Sequence, residues 1–94
     1  MSNRFPEIPV LSVMEHVTYV LNNMLNSFAS EKGYDSIISA CSYNTSTIPT
    51  FKAEALKSIA VRDAAWVAVL EAMKDTQRTP AEILDSIPAL TWDE

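Results

Sequence analysis

One glycine in 94 residues, Gly33, sets the tightest limit on what this chain can fold into. The tight hairpins of a β-rich protein need backbone at positive φ, usually supplied by glycine in the turn. A sheet protein of this length would use several, so helix is the default reading. The five prolines all lie outside the long periodic segments, leaving those segments free of helix breakers. The expected fold is all-α: a small helical bundle with an antiparallel pair of long helices, two short helices and extended N- and C-terminal arms. All of it falls within a single helical domain, residues 1–94.

The punctuation divides the chain. Pro6 and Pro9 favour an extended arm over residues 1–11. Ser12 and Glu15 have the spacing of a capping box, so they are expected to open the first helix. Val13, Val17, Leu21, Met24 and Phe28 then recur at helical spacing, widened by Met14 and Leu25, with Asn22, Asn23 and Asn26 mostly on the other side. The helix should stop near Lys32, with Gly33 in the left-handed C′ position. Asp35 is the expected cap of a short helix, Ser36–Ser42, with Ile37, Ile38 and Cys41 facing inward. A connector over residues 43–49 follows. Thr50 should cap the longest helix, about Phe51–Asp75, whose stripe reads Ala55, Ile59, Trp66, Leu70 and Met73, with Leu56, Ala60 and Val67 alongside. Thr79-Pro80-Ala81-Glu82 combines a capping box with proline at the first helical position. The helix it starts, Pro80–Ser86, is ended by Pro88, and residues 88–94 read as an extended tail. Leu90 and Trp92 are two apart, so an extended tail projects both to one side. The tail is expected to pack across the long helix near Trp66 and Leu70, or onto a neighbouring subunit.

Several function classes fall away on composition. Seven Lys and Arg against twelve Asp and Glu give a net charge of -5, which argues against binding a phosphate backbone. No apolar run is long enough to cross a membrane, and the first ten residues lack the apolar core of a secretory signal. The only cysteine, Cys41, allows no internal disulfide, and with His16, the only histidine, it cannot make a zinc site. One glycine rules out phosphate-binding loops, dinucleotide fingerprints and nucleophile elbows. No cofactor, metal or small-molecule substrate is expected.

The chemically capable side chains have plain structural readings. His16 has no nucleophile or carboxylate held against it, since Glu15 points about 100° away around the helix. Cys41 sits among small residues with no basic neighbour in sequence, the setting of an inert buried thiol. Glu71 and Asp75, four apart, read as solvated helix surface. Enzymatic activity is not expected. Arg62, Asp63 and Trp66 are more informative. Arg62 and Trp66 are four apart, so the guanidinium can lie over the indole. Charges beside an apolar stripe must satisfy something specific, here either the backbone of the 43–48 connector or a partner chain. Arg62, Asp63, Trp66, Leu90 and Trp92 are the candidate contact residues. Ser12, Glu15, Gly33, Thr79 and Glu82 are the candidate capping residues.

Lys32-Gly33-Tyr34-Asp35-Ser36-Ile37-Ile38-Ser39-Ala40, Ser42-Tyr43, Ser46, Phe51, Glu54-Ala55, Arg62-Asp63-Ala64-Ala65-Trp66 and Ile87-Pro88-Ala89-Leu90-Thr91-Trp92 recur in an order that resembles a small family of tailed-bacteriophage proteins. Similar segments occur in short phage proteins and in C-terminal parts of tail or tail-fibre proteins. The resemblance covers about two-thirds of the chain. It implies a non-enzymatic virion structural protein, attached to the tail, tail fibre or neck through helix-mediated contacts. Its expected partners are other phage structural proteins, with a homo-oligomer as a further option. Its expected location is the host cytoplasm during assembly and then the tail region of the virion. An assembly chaperone absent from the mature particle is the first alternative. A small acidic regulator of a host protein is the second, although the longest acidic run is only two residues, Asp93-Glu94.

Overall fold

The computed structural model describes residues 10–92, with side chains described from Val13 onward. Among the described residues the chain is all-α: α1 (Val10–Ser30), α2 (Ile37–Ser42), α3 (Pro49–Ala72) and α4 (Pro80–Asp85), with a 3-10 turn, Tyr43–Thr45, between α2 and α3. The expected arm over residues 1–9 and the last two residues of the tail lie outside the described residues.

Val10 and Leu11 belong to α1, not to an extended arm, and Ser12 is inside the helix instead of capping it. The Ser12–Glu15 capping box is therefore not the start of α1. A proline restricts its own φ and the residue before it but not those after it, so Pro9 does not keep Val10 out of a helix. Val17, Leu21, Leu25, Phe28 and Ala29 are the buried face of α1. At its end Gly33 has φ +88°. The Gly33 N–H donates to Ser30 O at 2.9 Å and the Tyr34 N–H to Ala29 O at 3.3 Å, the paired bonds of a Schellman cap. A Cβ on Gly33 would meet nothing within 4 Å, so Gly33→Ala carries only the backbone cost of a positive φ. We expect it to destabilise the fold by about 1 kcal/mol, measured by denaturant unfolding. An unchanged midpoint would mean that the cap is dispensable.

The cap of α2 is Ser36, one residue later than the expected Asp35. Ser36 is extended (φ −159°, ψ 169°) and its side chain accepts from the Ser39 N–H. The Ile37 N–H is taken by Asn26 Oδ1 of α1 at 2.9 Å, which ties the two helices together at a terminus that would otherwise lack acceptors. Ile37, Ala40 and Cys41 are buried, whereas Ile38 is 79% exposed, because in a single-sided short helix it lies about 100° from Ile37. The N-cap of α3 is Ile48, without a side-chain hydrogen bond, followed by Pro49. Thr50 is therefore inside the helix, since a proline at N1 already fits both the φ and the missing donor of a helix start. The capping box of α4 forms as expected: the Glu82 N–H donates to Thr79 Oγ1 at 3.2 Å and the Thr79 N–H to Glu82 Oε1 at 2.9 Å.

α3 starts at the end of the molecule where α1 stops, with Tyr34, just past α1, bonded to Glu54 near the start of α3. The long helices thus run in opposite senses, and α2 and α4 each touch both. One core joins Val17, Leu21, Leu25 and Phe28 of α1 to Ile37 and Cys41 of α2, Ala65 and Val69 of α3 and Ile83 of α4. α3 buries Ala55, Ser58, Ala65, Val69 and Ala72 most deeply. Of the expected stripe, Ala55 is buried and Ile59, Trp66 and Met73 pack against the core half-buried, whereas Leu70 and the flanking Leu56, Ala60 and Val67 turn outward. Small residues on α3 let α2 and the 3-10 turn pack closely against it.

Candidate functional site

At one end of the bundle the tail is fastened to α1. The Trp92 ring stacks on Phe28, centroids 4.1 Å apart and planes 8° from parallel. Its indole N–H donates to Phe28 O at 2.8 Å, and Lys32 Nζ lies 5.7 Å from the ring centroid. The tail thus returns to its own chain, but not near Trp66 and Leu70 as the sequence suggested. The physical reason is the indole donor. Carbonyls in the last turn of a helix lack full intrahelical partners, so Phe28 O can accept, while the middle of α3 offers no such group. Leu90 packs against the same core, and Pro88, Ala89 and Leu90 border a depression of about 230 Å³ with Ala60, Val61 and Ala64 of α3.

Beside this clasp, Tyr34, Tyr43 and Phe51 form a tilted row with centroids 5.6 and 5.4 Å apart. The Tyr34 hydroxyl donates to Glu54 Oε1 at 2.7 Å. Desolvation, with the Glu54 hydrogen bond and charge added, pushes the Tyr34 phenol up to about 12. Its folded value therefore exceeds the ordinary value near 10. The stability it supplies is fully present below about pH 10 and is lost as pH rises toward 12. We expect thermal stability to fall over that window less steeply in Tyr34→Phe than in the parent chain. Superimposable pH profiles would show that the bond to Glu54 contributes nothing.

Arg62 and Asp63 do not clasp the 43–48 connector, and Arg62 is engaged elsewhere than on the Trp66 indole. Arg62 Nε and Nη2 donate to Asp63 Oδ1 at 3.1 and 3.0 Å. The guanidinium also lies against Cys41, a basic neighbour that the local sequence did not reveal. Burial pushes the Cys41 thiol up, and the Arg62 guanidinium offsets only part of that rise. Trp66 is partly buried against the core. His16 is exposed on α1. Glu71 and Asp75 each turn to a cation, Lys74 at 2.9 Å and Arg78 at 3.6 Å. Among the described residues no group of three or more His, Cys, Asp or Glu could hold a metal ion. Nor is any helix there long and apolar enough to cross a membrane.

The outer face of α3 is uncovered. Leu56, Val67 and Leu70 are 52, 61 and 54% exposed, with exposed Ala60 and Asp63 between them. Positions 56, 60, 63, 67 and 70 follow the alternating four–three spacing of one helix stripe. This stripe lies roughly opposite the most deeply buried face, so α3 carries two apolar sides, and the outer one holds two leucines and a valine. No protein-family model matches the chain, and comparison with curated proteins and with solved structures finds no match.

Proposed function

We propose that the chain is a non-enzymatic structural protein of a tailed-phage particle, attached to the tail, tail fibre or neck through helix-mediated contacts. The observation that carries this reading is the outer stripe of α3. A domain with so small a core gains most by burying leucine and valine, yet here both leucines of α3, Leu56 and Leu70, and Val67 face outward, each more than half exposed. Exposed apolar side chains aligned along one helix are the usual mark of a protein-binding face. The sequence resemblance adds the phage context: its Tyr34, Tyr43, Phe51, Glu54 and Trp92 serve to hold the bundle in shape behind that face.

Quantitative mass spectrometry of purified particles is the test, with the protein expected at a fixed copy number relative to tail proteins. Its absence from particles, together with a complex with a tail or fibre protein in infected cells, would replace this reading with that of an assembly chaperone.

A further inference from the structure

We infer that the outer stripe of α3 is a seat for one amphipathic helix of a different protein, carrying a basic residue at the middle of its apolar face and acidic residues toward that face's ends. The inference rests on the reading of the chain as a docking protein and specifies the partner's chemistry. Leu56 to Leu70 spans about 21 Å of helix, the length over which two helices make four or five interlocking layers. Asp63 stands at the midpoint, 61% exposed at its side chain. Both bonds from Arg62 fall on Asp63 Oδ1, which leaves the second carboxylate oxygen to take a donor from a partner. Lys52, on α3, and Lys74, in the turn just after it, are exposed four residues beyond either end of the stripe. Lys74 meets Glu71 in a surface pair, of a kind worth little and readily exchanged.

The charge order along the face is therefore basic, acidic, basic, and its complement is acidic, basic, acidic. A second copy of this chain is the wrong occupant. Whether two α3 helices pair parallel or antiparallel about the middle of the stripe, Asp63 meets Asp63, and like charges placed opposite each other oppose pairing. The depression between Ala60, Ala64 and Pro88–Leu90 borders the stripe. Its small residues give an incoming leucine or methionine somewhere to insert, as in helix-in-groove recognition.

The probe is a fluorescent helical peptide of about 18 residues, enough to match the stripe, with leucines at four–three spacing, a central lysine on that face and glutamates at its ends. A twin carries glutamate in place of the lysine. Binding to the full chain is read by fluorescence anisotropy, with folding of each variant checked by circular dichroism. The lysine peptide should bind at least about tenfold more tightly than its twin. Asp63→Lys should invert that preference, and Asp63→Asn should abolish it. Leu70→Ser should weaken the lysine peptide by about tenfold, while Tyr19→Ser, an exposed residue of α1, should not. Equal binding of the two peptides, a preference unmoved by Asp63→Lys, or a dimer by light scattering in the absence of peptide would each overturn the inference. Particle mass spectrometry reads only whether the protein is in the virion, so either idea can fail alone.

Discussion

Phe28→Ala should destabilise the protein by about 3–5 kcal/mol, the largest effect expected of a single truncation here. Phe28 is 1% exposed and serves two functions at once. Its ring fills the core at the end of α1, and its outer surface is the platform on which Trp92 stacks. Removing it leaves a cavity and also releases the Trp92 ring. The partners act as a unit, so a double-mutant cycle with Trp92→Ala should be clearly non-additive. The combined loss should fall short of the sum of the single losses by about 0.5–1.5 kcal/mol, the usual worth of an aromatic pair beyond its buried area. Strict additivity in urea unfolding would show that Trp92 gains nothing from the stack and is held by its hydrogen bond alone.

The second large effect is expected at Ile83. α4 has six residues, far too few to be stable in isolation. It is fixed by its capping box and by one fully buried side chain, Ile83, at 2% exposure. Ile83→Ala should cost about 2–5 kcal/mol, and the loss should be uneven. Hydrogen exchange should accelerate most in α4 and in the segment leading to Leu90, which hangs from it, and least where α2 packs on α3. Uniform acceleration would mean that the bundle opens as one unit and that α4 is no weaker than the rest.

What the sequence disclosed, and what it concealed, follows from how local each signal is. Gly33 and the Thr79–Glu82 box were legible because each is decided within a few residues: a positive φ, and two reciprocal hydrogen bonds. Ser12 misled because the same box spacing can occur inside a helix, and nothing local distinguishes the two cases. The outward turn of Leu56, Val67 and Leu70 on α3 was missed for a different reason, although Ala55, Ile59, Trp66 and Met73 do lie at the core as expected. With apolar residues on two opposite sides, periodicity alone cannot say which side turns inward. Size is a poor guide too, because the inner side holds alanines. Asn26 capping α2 and Arg62 beside Cys41 are contacts between helices, fixed by packing and invisible to spacing along one of them. The Asn26 partner had a faint signal, an asparagine near the edge of the α1 stripe and a helix start that needed a second acceptor. The exposed stripe of α3, which carries the functional reading, was thus hidden inside a pattern that first looked like core.

The bond between Trp92 and Phe28 joins residues 64 positions apart, and that separation has a consequence during synthesis. At about 5–20 residues per second on the ribosome, roughly 3–13 s pass between incorporation of Phe28 and of Trp92. Throughout that interval α1 has no aromatic lid over its last turn, and for most of it α4 does not yet exist to cover its other contacts. The nascent chain therefore presents Leu21, Leu25 and Phe28 to whatever surrounds it, for far longer than a helix takes to form. The tail cannot close until Trp92 has been made. A chain stalled on the ribosome before residue 92 would leave the last turn of α1 without its clasp.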